Sequence, residues 1–318
     1  MTRKVLVVGG AGYVGGFLTD TLLGSNRYEV RVLDNLTYEE IFLKPVDFFF
    51  GDVRDFTALN SHLGWADVVI WLAAIVGDEA CALDPVQTRE VNVESVRQLR
   101  ESFGGRIIFA STCSVYGAQS DMLAEDSPLS PLSLYAETKI EAEEILLQGG
   151  GQSLILRLGT LFGIGDSYSR FRSDLVLNLL TARAVLTRKM SVFGGQQFRP
   201  LLHVRDVARA IESQIESNNL GIYNLVGENL TIIELAERVR AHVPGSQISL
   251  SEGLFEDNRN YCVSAEKARQ VLGFTPDLSV DDGIREVRSL IESGRLRSFE
   301  NSRYSNVEAL RERRGVHR

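Results

Sequence analysis

The stretch KVLVVGGAGYVGG, residues 4–16, sets the reading of the whole chain. Lys4–Val8 is an apolar run of strand type that gives way at once to glycine, and Tyr13–Leu23 then repeats its apolar residues at helical spacing. Gly9, Gly12 and Gly15 follow a G-x-x-G-x-x-G pattern. Glycine lets the chain turn sharply, lets the backbone approach a pyrophosphate and lets the helix sit close to the strand. The helix start adds free N–H groups and the positive end of a dipole. Such a turn can also bind nothing, and the second strand decides between the two. EVRVLDN (29–35) ends in Asp34, 19 residues after Gly15, close to the ~20-residue spacing of an acid that binds a ribose. A carboxylate there accepts two hydroxyl hydrogen bonds and repels a 2′-phosphate, so Asp34 selects NAD over NADP. Asp52-Val53 ends a third strand-like run, where it would meet the adenine edge. Leu72-Ala73-Ala74 ends a fourth, where small side chains would let the cofactor lie against the sheet.

Outward from this unit the same rhythm continues. Strand-like runs at Asp47–Phe50, Val68–Leu72, Arg106–Ala110 and Leu154–Leu158 alternate with helical stretches, notably Pro85–Phe103 and Leu134–Leu147. Apolar strands separated by helices are what a doubly wound parallel sheet covered on both faces requires, an α/β Rossmann architecture. Residues 1–163 are assigned to it, with contributions from later segments. Residues 164–293 mix helices with short strands such as Gly221–Leu225 and Gln247–Leu250, and read as a smaller α+β substrate lobe. The triple glycine Gly149–Gly151 reads as a helix stop. Residues 294–318 carry seven arginines against three glutamates and read as a polar tail, a solvated helix or a frayed end.

With 318 residues, 44% hydrophobic and 24% charged, the chain has the composition of a folded protein. Its net charge of −8 gives no reason to seek nucleic acid or anionic lipid. The longest apolar run, Val68–Val76, is far short of a membrane span, and no leader pattern opens the chain. Three cysteines without a CxxC pair argue against a disulfide framework or a metal site. The expectation is a soluble cytoplasmic protein.

Tyr135 and Lys139 stand four apart on one helix face. A tyrosine is a poor base at its ordinary pKa of about 10, but a nearby ammonium and a positive nicotinamide ring favour the phenolate. Lys139 is also expected to hold the nicotinamide ribose. Ser111–Gly117 (STCSVYG) follows the strand Arg106–Ala110, putting hydroxyls at the carboxyl end of a central strand, where open α/β sheets bind ligands.

GGAGYVGG, Asp34, GDV, LAA, Asn92, STCSVYG and Tyr135-x-x-x-Lys139 together resemble the extended short-chain dehydrogenase/reductases of the NAD-dependent epimerase/dehydratase group. The likeness continues through RLGTLFG (157–163), FRPLLHVRDV (198–207) and LGFTP (272–276), covering roughly residues 4–290. The resemblance implies a nucleoside-diphosphate sugar as substrate. It makes Thr112 the hydroxyl partner, Tyr135 the acid/base and Lys139 the ribose anchor. It implies cofactor contacts at Gly9, Gly12, Tyr13, Val14, Gly15, Asp34, Asn35, Asp52, Val53, Leu72, Ala73, Ala74 and Asn92. Substrate contacts are implied at Thr112, Cys113, Ser114, Thr160, Arg172 and Asn178, with Arg199 and Arg259 on the diphosphate. It also implies a homodimer through helices 85–103 and 134–147, both expected to carry spare apolar faces.

Departures narrow the reaction. Dehydratases of the group carry an acid pair directly after the threonine and decarboxylases a glutamate two places on; here stand Cys113 and Ser114. A thiol and a hydroxyl are poor substitutes for that proton chemistry, and Cys113 reads as a small packed residue rather than a nucleophile. The expectation is an NDP-sugar 4-epimerase with tightly held NAD. The alternative is an NADH-dependent 4-keto-sugar reductase using the same residues, ahead of a catalytically silent NAD-binding regulator.

Overall fold

Apolar runs this continuous need cover on both faces, and the computed structural model, which describes residues 2–148, 151–251 and 259–315, shows how they obtain it. In chain order the strands are β1 (Arg3–Val8), β2 (Tyr28–Asp34), β3 (Asp47–Phe50), β4 (Val68–Trp71), β5 (Arg106–Thr112), β6 (Ala118–Leu123), β7 (Ser153–Leu158), β8 (Thr160–Phe162), β9 (Lys189–Phe193), β10 (Phe198–His203), β11 (Gly221–Leu225), β12 (Glu228–Thr231), β13 (Gln247–Ser251) and β14 (Asn260–Val263). The α-helices are α1 (Tyr13–Ser25), α2 (Phe56–Leu63), α3 (Asp78–Ala82), α4 (Pro85–Arg89), α5 (Ser95–Ser102), α6 (Leu134–Leu147), α7 (Val176–Thr187), α8 (Val204–Ser213), α9 (Ile232–His242), α10 (Val280–Glu292) and α11 (Asn306–Arg313).

Seven parallel strands form one sheet in the order β11-β7-β5-β4-β1-β2-β3. The chain winds outward from β1 to β3, then returns to build β4, β5, β7 and β11 on the other side. The crevice at that reversal, outside the carboxyl ends of β1 and β4, is where such sheets bind ligands. Alternation along β1 sends Val5 and Val7 into a core with α1 and α8, and Leu6 and Val8 into a second core with α2, α5 and α6. A third core, built around α7, α9, α10 and β10, supports the smaller lobe.

The lobe boundary is not a clean cut. Gly221–Leu225, read as part of the lobe, is the β11 edge of the main sheet. Val207, Ala208 and Ile211 of α8 pack in the same core as Leu18 and Leu22 of α1. Residues 149–150 of the triple glycine lie outside the described residues. The segment read as a polar tail, a solvated helix or a frayed end, forms the helix α11, which is docked on the protein through Asn306, Ala309 and Leu310, all buried, rather than solvated. Of the expected spare apolar faces, Val86 and Leu147 are exposed on the described parts of these helices. The exposed side chains of the α4–α5 run and α6 are mostly charged, and Arg89 bridges to Glu137 and Glu141 across the two helices.

Beneath the crevice a buried polar network ties α6 to three strands of the sheet. Glu143 of α6 pairs with Arg157 of β7 at 2.7 Å, both almost wholly buried at 3% and 2% exposure. It also accepts from the Ser111 hydroxyl of β5. Arg157 bonds the Tyr116 hydroxyl, which donates to Asn224 of β11. Removing one member of such a pair leaves a buried charge with no counter-ion, at a cost of about 3–5 kcal/mol. Glu143→Ala is therefore expected to lower unfolding free energy in urea by that amount, and a loss below 1 kcal/mol would contradict the role given to the pair.

Candidate active site

A cavity of about 1020 Å³ opens at the carboxyl ends of the central strands and runs on into the smaller lobe. That is the upper end of the ~300–1,000 Å³ typical of ligand sites, room enough for more than one small ligand. Its floor is the glycine turn. Gly9 has φ +84°, and a Cβ there would sit 2.5 Å from the Ala73 nitrogen; one at Gly15 would sit 2.6 Å from the Gly9 carbonyl oxygen. β1, the loop after β4 and α1 approach so closely that side chains cannot fit between them. Gly12 begins α1 with no side-chain cap, leaving the first N–H groups of the helix to the cavity.

Asp34 is held by this turn. Its carboxylate accepts from the backbone N–H of Ala11 at 3.0 Å and of Leu36 at 2.8 Å, one bond to each oxygen, so each keeps acceptor capacity. Burial raises its pKa, and those backbone donors pull it back. The Asp52 carboxylate is tied to Arg54 at 2.9 Å and accepts from Asn35 at 3.2 Å, and the Arg54 bonds hold it below the usual carboxylate range. Val53 and Leu72–Ala74 line the same wall.

The catalytic candidates meet on the other side. Thr112 ends β5 and accepts from the backbone N–H of Ser114 at 3.1 Å; its hydroxyl donates to Ser114 Oγ, which lies 3.4 Å from the Tyr261 hydroxyl. Tyr135 and Lys139 face the cavity from α6, whose start is capped by Ser133. Ser133 in turn donates to Asp78 at 2.6 Å, and Asp78 faces Arg259 at 3.5 Å.

Burial governs both titrating groups. It pushes the Tyr135 hydroxyl well above the ordinary tyrosine range, with the Cys81 thiol and Asp78 carboxylate adding to the rise and a hydrogen bond with Thr112 opposing it. It lowers Lys139 to about 8. The lysine donates to the Ala110 carbonyl at 2.8 Å and sits 4.6 Å from the centre of the Phe109 ring. The expected direct pull of Lys139 on the Tyr135 proton is thus not the dominant effect in the protein alone; desolvation is.

Thr160, Arg172, Arg199 and Arg259 line the same cavity, as do Tyr13, Val14 and Asn35. Three expected contact residues do not. Cys113 is packed away with its thiol on the Arg157 carbonyl, and burial pushes that thiol up, which leaves it unreactive. Asn92, turned inward by a π-helical turn at Glu90–Glu94, clamps Ile75 through both its N–H and its carbonyl. Asn178 bonds both backbone groups of Gly163 and the Arg172 carbonyl. The two amides shape the cavity's loops from behind.

Other lining residues went unread in the sequence: Tyr38, Glu39, Gln197, Tyr261, Asn306 and Leu310. Tyr261 follows Arg259 in a strand-like NYCV run. SNVEALRER (305–313) carries a capping serine and apolar residues three apart, the signature of a short amphipathic helix. Among the described residues, no cluster of three or more His, Cys, Asp or Glu side chains is placed to hold a metal ion, and no helix is long and apolar enough to cross a membrane.

A model of the NAD dependent epimerase/dehydratase family matches residues 5–225. The chain is 27% identical over 316 residues to a Bacillus subtilis protein described as an uncharacterized UDP-glucose epimerase, covering 88% of this chain and 95% of that one. It is 26% identical over 302 residues to a UDP-glucuronic acid decarboxylase of Arabidopsis thaliana, covering 88% and 68%. Among solved structures, the UDP-glucose 4-epimerase of Thermus thermophilus in complex with NAD has 26% identity and a TM-score of 0.78, covering 91% of this chain and 99% of that one.

The placement of Lys139 is directly measurable. Its carbon-13 Cε resonance is expected to titrate near pH 8 in the cofactor-free protein, and a midpoint near the ordinary lysine value of about 10.4 would mean that water reaches it.

Proposed function

The chain belongs to the NAD dependent epimerase/dehydratase family, and within it we propose that this protein is a nucleoside-diphosphate-sugar 4-epimerase acting through a transient 4-keto sugar. One observation carries the reading. Thr112, Tyr135 and Lys139 share a cavity with the glycine turn and Asp34, while the two positions after Thr112 hold no acid. The cradle fits NAD: crowded glycines, uncapped helix N–H groups and a half-buried carboxylate with spare lone pairs. Bound NAD supplies a hydride acceptor and a positively charged ring.

Tyr135 takes the proton of the C4 hydroxyl as the C4–H bond breaks, and returns it when that bond is remade on the opposite face of the sugar. Thr112, by turning its single hydroxyl proton away from Ser114 Oγ, donates to the C4 oxygen and orients it toward Tyr135. Lys139, anchored on the Ala110 carbonyl, holds the ribose hydroxyls with its remaining N–H groups. Arg199 and Arg259 hold the diphosphate, a task suited to the planar guanidinium fork. Ser114 and Thr160 border the sugar. Decarboxylation, the activity named for the Arabidopsis relative, draws less support because Ser114 stands where that group carries its glutamate.

Epimerisation returns the cofactor to its starting state each cycle. Turnover of a UDP-hexose is expected without added NADH and with no net absorbance change at 340 nm; consumption of one NADH per product would establish the reductase instead. Tyr135→Phe loses one hydroxyl, so it is expected to keep the fold and bound NAD while turnover falls roughly 10²–10⁴-fold. Undiminished activity in that variant would mean the proton goes elsewhere.

Asp34 sets cofactor choice. Asp34→Ala removes two charge-assisted hydrogen bonds and one repulsion, each such bond being typically ~1.5–3 kcal/mol. NAD affinity is expected to fall tenfold or more, and the preference over NADP to shrink. Calorimetric titration with both cofactors checks this, and unchanged affinities would contradict it.

A further inference from the structure

We propose that residues 302–314 belong to the cofactor site as a C-terminal clasp that sets how long NAD stays bound. The proposal rests on the reading of the crevice as an NAD site given above, and adds to it an element outside the sheet.

The topology defines what the clasp spans. β1 lies between β2 and β4, so the loop after β2 and the loop after β4 stand on either side of the glycine turn at the end of β1. α11 reaches both. Arg313 donates to the Leu36 carbonyl beyond β2. On the β4 side, Asn306 donates to the Val76 carbonyl at 3.0 Å. Arg314 donates to the Leu83 carbonyl at 3.2 Å and to Asp84 at 2.9 Å, and also meets Gln87. The helix is moored to the smaller lobe as well. The Asn306 backbone N–H donates to Asp174 at 2.9 Å, the Asn306 side-chain amide oxygen accepts from Arg170, and Arg170 donates to the Arg303 backbone carbonyl at 2.7 Å.

These are cavity contacts as well as surface ones. Ser305, Asn306, Val307 and Leu310 line the same cavity as the glycine turn, Asp34 and Tyr135. Asn306 is 4% exposed, and Leu310 packs in a cluster with Ile75, Ala80, Cys81 and Tyr135. A ligand held by the glycine turn and Asp34 therefore lies under a bridge joining the two flanking loops, and its departure requires that bridge to lift.

α11 has eight residues, too few for a helix to persist unaided in water. Its order comes from docking, and elements of this kind open locally without global unfolding. If opening precedes release, the NAD dissociation rate scales with the open fraction, and weakening the dock speeds release by the same factor. An epimerase that reuses one NAD benefits from a small open fraction, whereas a reductase must open at every turnover.

The test is exchange of protein-bound NAD against carbon-13-labelled NAD, followed by mass spectrometry of the full-length protein. Asn306→Ala breaks the moorings to Val76 and Arg170, and Leu310→Ala empties the apolar contact; each is expected to raise the exchange rate tenfold or more. Arg311→Ala, whose side chain pairs with Glu308 on the same helix, is the control and is expected to leave exchange within twofold. Exchange unchanged in both docking variants would overturn the clasp, even if their melting temperatures fall. Faster exchange in a protein that proves to consume NADH stoichiometrically would uphold the clasp and overturn the epimerase, so the two proposals fail separately.

Discussion

The buried ion pair between Glu143 and Arg157 is the constraint on which the catalytic half of the molecule depends. Tyr135, Lys139 and Glu143 lie at successive intervals of four on α6, and so share one face. Fixing Glu143 against β7, with Ser111 of β5 on its other side, fixes the rotation of the helix about its axis. Tyr135 and Lys139 are then aimed at the end of β5, where Thr112 stands. A buried pair is a poor source of net stability, because desolvating two charges offsets most of their attraction. Its contribution here is direction: apolar contacts tolerate a small rotation or slide, and a guanidinium bonded to one carboxylate by two of its nitrogens does not.

How much of this was legible in the sequence follows the range over which each feature is decided. β1, β4, β5 and β7 could be read because strands buried on both faces are apolar almost throughout, β2 and the edge strand β3 by their apolar runs, and the α6 range was recovered from its periodicity. The glycine turn, Asp34, Thr112, Tyr135 and Lys139 are local motifs, and they converge on one cavity. β11 was misassigned because an edge strand added after a long excursion has no neighbour in sequence to announce its sheet. Asn92 and Asn178 were read as ligand contacts because buried amides and ligand-binding amides look alike in sequence. Only coordinates reveal that their hydrogen bonds are used up by Ile75, Gly163 and Arg172.

The C-terminal segment failed to read for a related reason. Its composition is that of a solvated tail, and its inward apolar residues, Leu296, Phe299, Val307, Ala309 and Leu310, are too scattered to outweigh seven arginines. Three of those arginines are not surface decoration. Arg303 supplies a carbonyl to Arg170, and the side chains of Arg313 and Arg314 reach backbone carbonyls more than 200 residues away in sequence. Helix C-termini favour basic side chains in any case, so the charge pattern had a local explanation that masked the long-range one.

The cavity is therefore built from two parts with opposite mechanical character. The side that carries Thr112, Tyr135 and Lys139 is set in the middle of the sheet, behind charges that cannot be separated without large cost. The side that would cover the dinucleotide is a single short helix, held by separate polar contacts and the apolar side chains of Val307, Ala309 and Leu310. The same burial acts on both Tyr135 and Lys139, raising the one and lowering the other, so it favours the neutral form of each. A site arranged this way keeps its acid/base quiescent until positive charge arrives beside it. In the proposed reading it is then α11, and not α6, that decides how long that charge remains.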